Sequence, residues 1–267
     1  VKPSYSDILD FYTHLFEARE QSKSDLVLEP MTIDQALLDL KKESDMPLIN
    51  PSQFRIDTDS ATRLLVKICD LAGEYAPNLS ADARRIKNAV EDGNLDTPLL
   101  FSAIIEDPDR ILDTLSETIG VMKPHLILFG YNSMAPSIEA CAQQLAVYLE
   151  KDHKQAQGYC PVCGNPPDLG ILDEKGRKML KCSFCNHKWH TKRMGCTFCN
   201  NIEPDQQQYF YTSDEKEYRV DLCDSCRNYL KIVDLRQMKR FFYPGIETVA
   251  TLHLDMMAKE KGYTGQL

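Results

Sequence analysis

The chain has 267 residues, a net charge of −9 and 43% hydrophobic residues, enough for one large domain or two ordinary ones with a packed core. Its 40 Asp and Glu against 31 Lys and Arg argue against a nucleic-acid protein as a whole. No apolar run approaches the ~20 residues of a membrane span, and no signal peptide is visible.

Helical patterns fill the first half. Residues 4–22 read as a helix with Ile8, Leu9, Tyr12, Leu15 and Phe16 on one face. Thr32 and Gln35 form a capping box for a helix to about Lys42. Met46, Pro47 and Pro51 mark a connector, after which Asp57 or Asp59 opens a helix through Leu64, Leu65 and Ile68. Ser80 caps the next, which stops at Gly93. A segment from Asp96 or Thr97 carries Pro98 in its first turn, and Asp107-Pro108 restarts a helix that Gly120 ends. Residues 122–131 are strongly apolar, and Ser133 caps a last long helix, Ala135 to Glu150. The expectation is an all-α bundle over 1–152, then a polar linker, Lys151 to Gly158. The first residue is Val1 rather than Met, so a few preceding residues are expected.

The stretch from Tyr159 to Tyr229 is of another kind. It holds eight of the ten cysteines, in the C-x-x-C pairs Cys160/Cys163, Cys182/Cys185, Cys196/Cys199 and Cys223/Cys226. Such a knuckle points two thiolates at one metal, two knuckles complete a four-sulfur site, and four make two sites. Disulfides fit this spacing poorly, and nothing marks secretion. Gly164, Asn186 and Asn200 follow the second cysteine of their knuckles and accept the left-handed backbone such a turn needs. Arg227 breaks the pattern, so the fourth knuckle is expected to close differently. Cys69 and Cys141 read as small buried hydrophobes.

Between Cys163 and Cys182 the sequence reads strand, turn at Glu174-Lys175-Gly176, strand. Between Cys199 and Cys223 an aromatic run, Tyr209 to Tyr211, and an alternating return, Tyr218, Val220 and Leu222, flank a polar turn. A hairpin between two knuckles is the plan of a rubredoxin or zinc ribbon, which pairs the first knuckle with the second and the third with the fourth. The second module ends in a strand over Tyr229 to Val233, and Pro244 starts a C-terminal helix to about Lys261. The fold class is therefore α+β. The helical bundle, 1–152, precedes two rubredoxin-like or zinc-ribbon modules, 158–200 and 194–240, and a C-terminal helix, 244–262.

Four thiolates satisfy zinc or iron alike; zinc would be structural and iron could pass or sense one electron. A site closed by four protein ligands has no open position, so metal hydrolysis is not expected. Trp189, the only tryptophan, either covers the first site or joins His190 and Arg193 in a partner-binding surface. Residues 158–240 carry 14 Lys and Arg against 11 Asp and Glu, and a basic group of Lys175, Arg177, Lys178, Lys181, Lys188, Lys192 and Arg193 could suit nucleic acid. The acidic remainder weakens that. No phosphate-binding glycine loop, G-x-S-x-G or HExxH is present, and no catalytic residues are assigned.

Tyr159-Cys-Pro-Val-Cys-Gly164, Leu180-Lys-Cys-Ser-Phe-Cys185, Trp189-His190 with Arg193, Cys196-Thr-Phe-Cys199 and Cys223-Asp-Ser-Cys226 with Tyr229-Leu-Lys-Ile232 together resemble the formate dehydrogenase accessory protein family (FdhE type). The resemblance implies a cytoplasmic, non-catalytic, chaperone-like protein. It implies rubredoxin-like iron at two tetrahedral four-cysteine sites and binding to the catalytic subunit of formate dehydrogenase during maturation. The alternatives are a zinc-ribbon nucleic-acid binder and a thiol redox protein.

Overall fold

The computed structural model describes residues 3–106, 109–149 and 158–265. The expected helix restart at Asp107-Pro108 and the linker over 151–157 lie outside these residues. The chain divides into two compact units, one of residues 1–31 and 50–144, the other of 32–49 and 145–267. The sequence placed 32–49 with the helical bundle; in the structure it belongs to the sheet-bearing unit.

The first unit is helical. It contains α1 (Pro3–Ser22), and the chain then passes through α2 (Gln35–Glu43) of the second unit before returning as α3 (Thr58–Tyr75), α4 (Ser80–Glu91), α5 (Thr97–Glu106), α6 (Asp109–Ile119) and α7 (Lys123–Leu145). Leu15, Leu65, Ile68, Ile86, Leu100, Leu126, Phe129 and Ile138 are fully buried, the core that the helical periodicity indicates. Arg19 of α1 is buried too, ion-paired to Glu139 of α7 and donating to Asn132 Oδ1 at 3.0 Å. Cys69 and Cys141 are buried among apolar side chains, and burial pushes the Cys69 thiol up to about 12.

Three local expectations are corrected. Asp34, not a Thr32/Gln35 box, caps α2, accepting from the N–H groups of Ala36 and Leu37, while Gln35 reaches Asp39. Ser80 lies inside α4, where its hydroxyl donates to the Pro77 carbonyl. The break expected near Ser133 does not occur. α7 runs from Lys123 straight through Pro136, and the Ser133 hydroxyl donates back to the Gly130 carbonyl. Pro136 forfeits one backbone hydrogen bond, but Met134, Ala135, Ile138, Cys141 and Leu145 on the same stretch are all fully buried, and that packing outweighs it.

The second unit is built on one six-stranded sheet. Its strands are β1 (Pro167–Leu172), β2 (Lys178–Cys182), β3 (Lys188–His190), β4 (Gln207–Phe210), β5 (Tyr218–Cys223) and β6 (Tyr229–Asp234), in the order β3-β2-β1-β6-β5-β4. Each half runs knuckle, strand, strand, knuckle, strand, and the halves lie head to tail. β1 of the first pairs in parallel with β6 of the second, Gly170 opposite Ile232 and Ile171 opposite Val233. One sheet face packs on α8 (Pro244–Ala250) and α9 (Leu252–Glu260) through Leu169, Ile171, Val220, Val233, Leu254 and Ala258. The C-terminal helix is thus two pieces. Thr251 ends the first, its hydroxyl donating to the Glu247 carbonyl in competition with the backbone. Glu247, fully buried, pairs with Arg240 and accepts from the Tyr218 hydroxyl. Segment 45–49 straps the first knuckle: the N–H groups of Leu48 and Ile49 donate to the Pro161 and Val162 carbonyls at 2.9 Å, and the Tyr159 hydroxyl donates to the Asp45 carbonyl.

Candidate metal centres

All four knuckles close the same way. The N–H of the first cysteine donates to the carbonyl five residues on, Cys160 to Asn165, Cys182 to His187, Cys196 to Asn201 and Cys223 to Asn228. The residue after each second cysteine is left-handed: Gly164, Asn186, Asn200 and Arg227 have φ of 78°, 57°, 57° and 58°. The fourth knuckle therefore does not close differently. Arg227 holds this conformation because its carbonyl accepts the Thr264 N–H at 2.7 Å and its side chain is tied to Asp224 and to the Tyr263 ring.

The sheet brings the knuckles together as the hairpins indicated. Cys160, Cys163, Cys182 and Cys185 form one group and Cys196, Cys199, Cys223 and Cys226 the other, the four sulfurs of each lying within 4.8 Å of one another. Closest Sγ–Sγ distances are 3.5 Å from Cys163 to Cys182 and to Cys185, 3.6 Å from Cys160 to Cys185 and from Cys196 to Cys226, and 3.7 Å from Cys199 to Cys223. A tetrahedron of metal–sulfur bonds about 2.3 Å long has edges of about 3.8 Å, so the donor sets fit a four-coordinate ion. Disulfide sulfurs lie about 2.05 Å apart, and all eight cysteines are free.

Backbone N–H groups point at the sulfurs: Phe184 and Cys185 at Cys182 Sγ, both 3.4 Å, and Phe198 at Cys196 Sγ, 3.3 Å. Such donors spread thiolate charge. Four thiols this close cannot all ionise without a cation. Hydrogen bonds from the neighbouring thiols hold Cys163 far below the ordinary thiol range, whereas burial pushes Cys160 far above it. Burial also raises Cys223, but the Cys226 N–H, the Cys196 thiol and the Ser225 N–H prevail and bring it to about 7. A bound dication removes this conflict.

The two clusters differ in exposure. All four cysteines of the first are buried, whereas Cys199 of the second is exposed and Cys226 half-buried. Of the other residues singled out by sequence, Trp189 is buried in β3 opposite Leu180, with the His187 ring parallel to it at 6.4 Å. Burial lowers His187 to about 4. His190 is half-buried and Arg193 exposed. The basic group is no single solvated stripe, because Lys178 and Lys181 are buried. Lys181 is paired with Asp168 at 2.8 Å. Sequence reasoning gave no role to the buried polar residues Lys231 and Glu247, paired with Asp255 and Arg240 respectively, whose positions only the tertiary fold reveals.

The sequence matches the family profile "FdhE, central domain" over residues 159–193 and "FdhE, C-terminal domain" over 180–266. The chain is thus similar to FdhE proteins. An FdhE homologue from Aquifex aeolicus is 24% identical across 98% of this chain and 87% of its own length. The FdhE protein of Escherichia coli is 31% identical, but over only 42% of this chain and 37% of its own. The crystal structure of the FdhE protein from Pseudomonas aeruginosa has the same fold, with a TM-score of 0.62 at 21% identity over 94% of this chain and 83% of that one. The FdhE resemblance of the cysteine region thus extends to the fold of the whole chain. No helix among the described residues is long and apolar enough to cross a membrane.

Proposed function

We propose that this chain is an accessory protein that binds the catalytic subunit of a formate dehydrogenase while that subunit matures in the cytoplasm, and that Cys160, Cys163, Cys182, Cys185, Cys196, Cys199, Cys223 and Cys226 hold two metal ions. The observation that carries it is the pair of four-sulfur clusters on one sheet, within the region matching both FdhE domains. The role is non-catalytic: each cluster supplies four thiolates and keeps no ligand position open for a substrate. Family resemblance favours iron, with zinc the alternative; iron would add one-electron chemistry to the scaffold.

The test has two parts. Metal analysis and a visible spectrum on anaerobically purified chain should give two ions per chain and the sulfur-to-iron bands of ferric tetrathiolate; two colourless ions would assign zinc. Co-purification with the catalytic subunit from the same organism should give a complex that is weakened in Cys163→Ser and Cys223→Ser. Salt-sensitive binding to DNA or RNA with no dehydrogenase complex would overturn the assignment.

A further inference from the structure

A cavity of about 360 Å³ opens beside Cys196 and Cys223, between the sheet and the 193–204 segment. Along β5, Val220 and Leu222 face the C-terminal helices, so Arg219 and Asp221 stand on the other face, where the cavity lies. Lys178 of β2 also lines it and is only 4% exposed. A buried ammonium is costly without a close acceptor. Yet Lys178 Nζ is 3.3 Å from Thr197 Oγ1 and 3.5 Å from Asp221 Oδ2. Asp221 is already committed to Arg219, whose Nε lies 2.7 Å from Oδ1. Arg193, exposed at the rim, has no ion pair among the described residues. Three cations thus face one carboxylate, in a chain whose net charge is −9. The mouth is apolar, with Met194, Ile202 and Tyr209 exposed at 78%, 72% and 62%.

We propose that this cavity binds an oxyanion, carboxylate or phosphate, carried on an apolar stem. Lys178, Arg193 and Arg219 take the head group, and Met194, Ile202 and Tyr209 flank the stem. The volume falls in the range of small-ligand pockets. Guanidinium groups suit either head group, bidentate in both cases. The cavity adjoins the second cluster through Cys196 and Cys223, but none of the proposed contacts is a metal ligand, and the proposal does not depend on the dehydrogenase assignment.

Calorimetric titration of the metal-loaded full chain with benzoate, phenyl phosphate and inorganic phosphate tests it. A saturable heat is expected for at least one stem-bearing anion, and the tighter of the two identifies the head group. Inorganic phosphate should bind roughly tenfold or more weakly, lacking the apolar stem. Arg193→Gln and Arg219→Gln should each weaken binding roughly tenfold. Asp221→Asn should tighten it, because the competing internal carboxylate is gone. Lys178→Met should abolish it; should that variant not fold by circular dichroism, the other three carry the test. Exposed Lys192→Gln should bind as the parent does. No saturable heat with any probe, equal affinity for inorganic phosphate, unchanged affinity in the arginine variants, or weaker binding by Asp221→Asn overturns the proposal.

Discussion

Arg227 sits in a backbone region that costs an L-residue about 1–2 kcal/mol relative to glycine, yet its side chain ties the fourth knuckle to the C-terminus. Its Nη1 is 2.9 Å from Asp224 Oδ1, Nη2 donates to the Lys261 carbonyl at 3.2 Å, and Cζ lies 4.1 Å from the Tyr263 ring centre. Arg227→Ala loses these ties and keeps the strain, whereas Arg227→Gly loses the ties and relieves it. Both variants should unfold at lower urea than the parent, with the glycine form about 1 kcal/mol the more stable of the two. Equal midpoints would mean that the strain is not borne there. A second residue sets an acid limit in the helical unit. Burial pushes the Asp82 carboxyl up, but the Met122 N–H at 3.0 Å and the His125 ring at 2.7 Å outweigh it and hold the group below the usual range. A depressed carboxyl contributes stability that is present above its unfolded value of about 4 and lost as pH falls below it. Asp82→Asn should therefore lower stability at pH 7 and flatten its decline below pH 4, as read from urea midpoints across that range.

At the scale of elements, α8 and α9 form the apolar cover of one sheet face. Leu254 of α9 is 1% exposed against that face, while Leu252, two residues earlier, is 41% exposed. Leu254→Ala should cost about 2–5 kcal/mol, the range for a buried leucine, and Leu252→Ala less than about 0.5. Chemical denaturation of the metal-loaded chain compares them, and similar losses would mean that the helix does not pack as described. These local patterns were legible: helix period, hairpin alternation and cysteine spacing each arise within a few residues. The parallel pairing of β1 with β6 was not, because its partners lie about sixty residues apart and parallel pairing leaves no turn signature. Nor was the transfer of 32–49 to the sheet unit, which rests on backbone bonds from Leu48 and Ile49 to a knuckle more than a hundred residues on. Arg227 misled because it breaks a local rule whose cost is met by hydrogen bonds elsewhere in the fold.

For the molecule as a whole, the two clusters repeat one design but face water differently. Cys160, Cys163, Cys182 and Cys185 are at most 2% exposed, and segment 45–49 lies over their first knuckle. Cys199 of the second cluster is exposed, and its neighbour Cys226 half so. A chelator or oxidant must reach sulfur or ion to act, so the first site opens only with local unfolding while the second can be attacked in the folded state. Metal release to excess chelator should accordingly be biphasic, each phase one equivalent, with Cys199→Ser removing the fast phase alone. The consequences for folding also follow. Structural zinc contributes about 10–16 kcal/mol in small domains, as much as the whole stability of an ordinary domain, about 5–15 kcal/mol. Losing the second ion should therefore melt β4 and β5, visible as lost amide protection there. β1 and β2 should stay protected until the slow phase, since their own cluster is intact. A single phase, or simultaneous loss of protection in both halves, would show that the shared sheet couples the two centres more tightly than their separate sulfur sets imply.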